Sequence, residues 1–189
     1  MRIIGGRMRG LKLAPVGRGD AAAHLRPTAD RVRESIFNLL MGGAYGDPIT
    51  GARVLDLFAG TGALGLEALS RGAAHATFLD DGIKALSLIR RNIELCRTQA
   101  NTQILRRNAT RLGDCGGTSF DLIFVDPPYG KGLGEKALTT ILSAGWLHTQ
   151  ALIVFEEGNS LPAPVGFDLL DQRRYGDTHV TILRLATPS

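Results

Sequence analysis

Cysteine is nearly absent from this chain. Cys96 and Cys115, the two among 189 residues, form no C-x-x-C pair and no cluster with histidine at metal-binding spacing, so a disulfide framework and a zinc site are both excluded and no metal is expected. The four histidines, His24, His75, His148 and His179, are scattered. Neither a nucleophile elbow nor a metal-binding helix accompanies them, and ordinary surface or core roles follow. Arg2, Arg7 and Arg9 interrupt the start and no apolar stretch follows, which argues against a secretory signal. The longest apolar runs are strand-sized, too short to span a membrane. A cytoplasmic chain is the simplest expectation. Internal repeats and low-complexity tracts are also missing, and the length suits one domain with a real core.

Charge is present but unevenly placed. Residues 1–33 hold seven arginines and one lysine against Asp20 and Asp30, a net +6, whereas positions 34–189 carry a net −2. A basic arm on a near-neutral body is the electrostatic footprint of a nucleic-acid binder, because phosphate contacts supply most non-specific affinity. Val16 to His24, rich in Gly and Ala, reads as a joint. The expected division is an arm over 1–24 and a folded domain over 25–189.

Two motifs carry the chemistry. The apolar run Phe120–Val125 ends in Asp126-Pro127-Pro128-Tyr129. Proline lacks the amide hydrogen and fixes φ, so the chain must leave the sheet there. It presents a carboxylate, backbone carbonyls and an aromatic face at one point, a kit for gripping a flat ring that bears an amine. Upstream, Arg53–Leu57 reads as a buried strand running through Phe58 into Gly60, Gly62 and Gly65, a G-x-G-x-x-G turn opening a helix. Asp56 at the strand end suits the ammonium of an amino-acid ligand and would repel a pyrophosphate. This favours S-adenosylmethionine over a dinucleotide. Asp80, about 15 residues past Gly65, stands near the spacing of a ribose-binding carboxylate, with Asp81 as its competitor. Asn108 can meet the cofactor's adenine amine beside Ala109, or merely satisfy its own loop. Phe37 shares an apolar helical face with Ile36 and Leu40 and is read as core.

The remaining pattern predicts a doubly wound α/β protein. Helices are expected over Ala63–Arg71, Ile83–Thr98 and Lys136–Ser143, with strands at His75–Asp81, Gln103–Leu105 and Ala151–Phe155. Phe167–Arg173 and His179–Leu185 are separated only by a turn at Tyr175-Gly176-Asp177, too short for a crossover helix, so they must be antiparallel. The expected fold is a Rossmann-like, mostly parallel sheet of seven strands with a C-terminal hairpin.

Met1–Leu13, Arg26–Leu40, the glycine turn and Asp126–Tyr129 together resemble the RsmD-type methyltransferases over nearly the whole chain. The resemblance implies the class I methyltransferase fold and SAM-dependent methylation of the exocyclic N2 amine of a guanine in 16S ribosomal RNA, naked or within a small ribosomal subunit or its assembly intermediate, by a monomer. Asp80 departs from the family, which more often carries glutamate there. Asp126, Pro127 and Tyr129 then act on the base. Asp56, Phe58, Gly60, Gly62, Asp80, Asn108 and Ala109 hold the cofactor. Arg7, Arg9 and Lys12 serve as the RNA handle. Arg26, Arg31 and Arg33 either hold RNA or brace the loop after Val125, with Glu34 as a partner. Two alternatives stay open: an adenine-N6 methyltransferase acting on DNA or RNA, and a non-catalytic RNA-binding module.

Overall fold

A computed structural model describes residues 1–17 and 30–186. Arg26, His24, most of the expected joint and the boundary at residue 24 lie outside those residues. Seven strands form one sheet: β1 (Arg53–Leu57), β2 (His75–Asp80), β3 (Thr102–Arg106), β4 (Phe120–Val125), β5 (Leu147–Glu157), β6 (Phe167–Tyr175) and β7 (Thr178–Leu185). Their order is β3-β2-β1-β4-β5-β7-β6. Pairing is parallel as far as β5, and β7 runs antiparallel to both β5 and β6. The expected hairpin is therefore present, with its second strand on the inside.

Among the described residues four α-helices cover the sheet: α1 (Asp30–Met41), α2 (Ala63–Ser70), α3 (Ile83–Cys96) and α4 (Leu133–Ser143). Because side chains alternate along a strand, Val54, Leu122, Phe124, Leu152 and Val154 pack with α1, α2 and α3 on one face. Leu55, Ile123, Val125, Ile153 and Phe155 pack with α4 on the other. A central strand with apolar groups on both faces needs a cover on each side, which explains the near-continuous apolar runs of β1, β4 and β5. Phe37 is fully buried and its ring meets Phe124 at 5.6 Å between centroids, as core.

Residues 1–17 pack against the body. Ile3 and Leu11 pair their backbones, with the Ile3 amide donating to Leu11 at 2.9 Å and Arg2 bridging Lys12. Ile3 and Leu13 sink into the core. The arm covers the side of α2 that the sheet leaves open, which is why no residue of α2 is exposed. Glu67, fully buried on α2, makes the seam. Its Oε2 accepts the Ile4 amide and its Oε1 the Gly5 amide, each at 2.8 Å, while Arg71 Nε donates to Oε1 at 2.8 Å. Gly6 follows with φ +72°, and a Cβ there would collide with the Ser70 carbonyl, so only glycine allows so close a seat.

Arg33 joins the same seam and corrects one expectation. It has no exposed surface. Its Nη2 donates to the Arg2 carbonyl and, at 3.0 Å, to Asp30, and its Nε lies 3.7 Å from Glu67. A guanidinium sealed between arm, α1 and α2 is a brace and cannot reach a phosphate. The carboxylates beside it are Asp30 and Glu67, and Glu34 is exposed. Replacing Glu67 with alanine strands the buried Arg33 charge and two backbone amides, so the Glu67→Ala protein is expected to lose about 3 to 5 kcal/mol in denaturant unfolding. A change within about 0.5 kcal/mol, the size of an ordinary surface substitution, would show that the seam carries little.

Candidate active site

Acidic side chains gather at the carboxyl edge of the sheet, where open α/β folds bind ligands. Asp56 on β1 is 1% exposed, and its Oδ2 accepts the Gly65 amide at 2.9 Å. Burial pushes its carboxyl well above the usual range; the Gly65 amide opposes this, and the charges of Asp126 and Asp80 add to it. Asp80, at the end of β2, uses both oxygens on backbone: Oδ2 accepts Gly60 at 2.9 Å and Oδ1 accepts Gly82 at 2.8 Å. Its carboxyl is also raised by burial, with these amides pulling the other way.

These two acids fix the glycine turn from opposite ends. Gly60 and Gly62 have φ of +56° and +75°, values that a side chain tolerates poorly. A Cβ on Gly65 would run into the Phe78 ring and approach Asp56 Oδ2, so the helix start must be bare there. Phe58 enters the turn at φ +57°, an uncommon conformation for an aromatic residue and one that clusters at functional sites. A third tie comes from α3: Asn92, fully buried, donates from Nδ2 to the Thr61 carbonyl at 2.8 Å and accepts the Ala14 amide of the arm at 2.7 Å. Beyond β3, Asn108 donates to Asp81 at 3.0 Å and accepts from Thr110, while Ala109 is buried beside it.

The second half of the site follows β4. Leu57 pairs with Val125, and Asp126 leaves the strand with its amide 3.5 Å from the Leu57 carbonyl. Pro127 is buried, Asp126 and Tyr129 half-buried. Glu157 holds the loop by accepting the Gly130 amide at 2.9 Å, and the Tyr129 hydroxyl meets Thr178 Oγ1 at 3.2 Å. The expected residues thus form two adjoining groups, a glycine-turn half over β1 to β3 and an aromatic half over β4 and β5. The arm cations stand apart. Arg7, Arg9 and Lys12 are exposed, as is Arg31 on α1. The arm turn that carries Arg7 and Arg9 sits at the far end of α2, where the Met8 amide donates to Ser70, roughly 12 Å along that eight-residue helix from the glycine turn.

Four positions escaped the sequence reading: Glu67, Asn92, Glu156 and Glu157. Glu156 had a legible signal, since it follows Ala151–Phe155 as Asp126 follows Phe120–Val125, an acid closing a buried strand. Among the described residues no group of His, Cys, Asp and Glu is placed to hold a metal ion, and no helix is long and apolar enough to cross a membrane.

The family model described as Conserved hypothetical protein 95 matches residues 1–184. The chain belongs to that family. A curated relative, Ribosomal RNA small subunit methyltransferase D of Escherichia coli K12, is 42% identical over 164 residues, covering 86% of this chain and 78% of its own length. The protein of the same name from Haemophilus influenzae is 34% identical over 187 residues, covering 93% and 89%. A solved structure of a proposed methyltransferase, yhhF of E. coli, matches with a TM-score of 0.83 at 36% identity and covers 100% of this chain and 99% of its own. The family extends over arm and body alike, in keeping with their shared core.

Asp56 gives a pH signature. The folded protein holds its proton at pH values where the unfolded chain has lost it, so the stability linked to this group is full below the ordinary value of 3.8 and drains as pH rises toward the raised folded value. One such proton gives a slope of at most about 1.4 kcal/mol per pH unit. Asp56→Asn is therefore expected to flatten the fall in unfolding free energy above about pH 4, measured by denaturant titration at several pH values. An unaltered slope would mean that the buried carboxyl is ionised.

Proposed function

We propose that the chain transfers a methyl group from S-adenosylmethionine to the exocyclic N2 amine of a guanine in small-subunit ribosomal RNA. The observation that carries this reading is the juxtaposition of Asp126, the Pro127 carbonyl and Tyr129 with a glycine turn ringed by acids. The names of the relatives support the RNA substrate.

The residues present fit the cofactor. The carboxyls of Asp56 and Asp80 suit a ligand with an ammonium and a sulfonium, whose charge favours their ionised forms, and disfavour a pyrophosphate, whose charge opposes ionisation. The bare backbone at Gly60 and Gly62 lets such a ligand approach closely. Asp80 is favoured over Asp81 as the ribose acceptor: its oxygens are fixed by Gly60 and Gly82 and each keeps a free lone pair. Asp81 is exposed and bonded to Asn108. When bound, S-adenosylmethionine supplies an electrophilic methyl group.

The protein's own part is to make a poor nucleophile attack. The lone pair of a purine amine is delocalised into the ring. Hydrogen bonds from its two N–H groups to Asp126 and the Pro127 carbonyl favour the pyramidal form and aim the lone pair. Positioning of this kind is worth about 7 to 11 kcal/mol in favourable cases. As nitrogen takes the methyl group it becomes cationic and must shed one proton, and Asp126, half-buried, is placed to accept that proton and pass it to solvent. Tyr129 stacks on the base, an interaction of about 1 to 3 kcal/mol, with its hydroxyl tethered to Thr178.

The deciding experiment maps methylated nucleotides in ribosomal RNA from cells with and without this gene, together with labelled methyl transfer to RNA and to DNA by the purified chain. Asp126→Ala is expected to cut the single-turnover rate more than about tenfold, equivalent to about 1.4 kcal/mol, while SAM affinity stays within a few-fold. Asp80→Ala is expected to weaken SAM binding by about 1 to 3 kcal/mol in calorimetry through unpaired ribose hydroxyls; an effect at Asp81→Ala instead would reassign the ligand. Neutralising Arg7, Arg9 and Lys12 together is expected to flatten the salt dependence of RNA binding by about 0.7 to 0.9 log units per lost phosphate contact. An unchanged slope would move the RNA surface off the arm.

A further inference from the structure

Glu156 is 1% exposed, and neither of its carboxyl oxygens has a hydrogen-bond partner among the described residues. Its neighbour Glu157 does what a structural acid does at a strand end, accepting the amides of Gly130 and Gly158 at 2.9 and 2.5 Å. Burying a carboxyl without such partners is costly, and an apolar side chain of similar size avoids the cost. The position therefore calls for a role other than holding the fold together.

Its surroundings point to that role. Val125 pairs with Phe155 in parallel register, so the next residues, Asp126 just past β4 and Glu156 within β5, lie side by side. Alternation places Asp56, Asp126 and Glu156 on the face of the sheet that α1 and α2 cover. The charged groups facing Glu156 are Asp126 from β4, Asp56 from β1 and Arg33 from α1; its β7 partner is Val180. Burial, with Asp126 and Asp56 reinforcing it and Arg33 opposing, pushes the Glu156 carboxyl well above the usual range. Two carboxyls this close do not both ionise readily, and the half-buried member, Asp126, is the one better served by solvent.

We propose that Glu156 is a positioning residue for Asp126: its carboxyl O–H donates to one Asp126 oxygen, so that the other is held toward the target amine. The role rests on Asp126 being the amine's acceptor, as proposed above. Catalytic hydrogen bonds of this kind tighten as the reacting group arrives, and the unpartnered oxygens of Glu156 leave it free to make one. No bond beyond this hydrogen bond is made or broken at Glu156. The amine proton still leaves through Asp126.

The test uses the full chain and small-subunit ribosomal RNA in single turnover across a range of pH, with SAM affinity measured by calorimetry and the carboxyl region of the infrared spectrum recorded near neutral pH. A protonated-carboxyl band is expected in the wild-type minus Glu156→Gln difference spectrum, in which the signal of Asp56, common to both proteins, cancels. The glutamine amide replaces the O–H donor, so Glu156→Gln is expected to keep the rate within about threefold and to lose the alkaline decline that ionisation of Glu156 gives the wild type. Glu156→Ala is expected to be about tenfold slower or more, in line with a misplaced catalytic group, with its acid limb moved to higher pH and SAM affinity unchanged within a few-fold. Three results overturn the role: the difference spectrum shows no protonated-carboxyl band, Glu156→Ala matches the wild type in rate and profile, or both variants are equally slow with a wild-type profile, as mere space-filling gives. If the wild type itself methylates no ribosomal RNA, the proposed function fails and takes the positioning role with it; an active wild type beside contrary variants condemns the positioning role alone.

Discussion

The carboxylate of Glu67 is the constraint on which the arrangement of this protein turns. An ionised group without solvent persists only where donors surround it, and here the donors come from three directions: the arm amides of Ile4 and Gly5, Arg71 one turn along the same helix, and Arg33 from α1. Those partners fix where the arm lies and how α1 meets α2. Since α2 begins at the glycine turn, the same charge that seats the arm also sets the tilt of the helix behind Gly60 and Gly62. Arm and ligand loop are two ends of one rigid piece.

Around the carboxyl edge, acids of similar chemistry do different things because their surroundings differ. Asp80 holds one backbone amide on each oxygen and shapes the turn. Asp56 anchors the start of α2 from a position where burial raises its carboxyl well above the usual range. Glu157 grips the loop after Asp126. Asp126 follows β4 half-buried, just ahead of the two prolines. A rim so rich in carboxyls is better matched by a cation, which favours their ionised forms, than by an anion.

The fold was legible in the sequence to the extent that each signal was local. The apolar runs of β1, β4 and β5, the glycine turn and the short link at Tyr175-Gly176-Asp177 each named an element and its sense. The ends of elements were less readable: α4 begins at Leu133, three residues before the expected Lys136, and β5 runs from Leu147, four before Ala151, because partners across the sheet extend a strand beyond its apolar centre. Arg33 shows the deeper limit. In sequence it is one arginine among several in a basic stretch, and only the buried Glu67 and the Arg2 carbonyl make it a brace. Glu67 and Asn92 read as ordinary polar residues on helices, since their partners lie more than 60 residues away in the arm.

The place of β7 has a consequence for how the protein comes into being. Chain synthesis delivers β6 before β7, yet β7 lies between β5 and β6, so β6 has no strand to pair with until β7 has been made. Thr178, which tethers the Tyr129 hydroxyl, arrives with that same segment. A nascent chain can assemble the arm, the glycine turn and the first five strands before the Tyr129 hydroxyl has its tether. The loop after β4 gains its last hold only when β7 is in place.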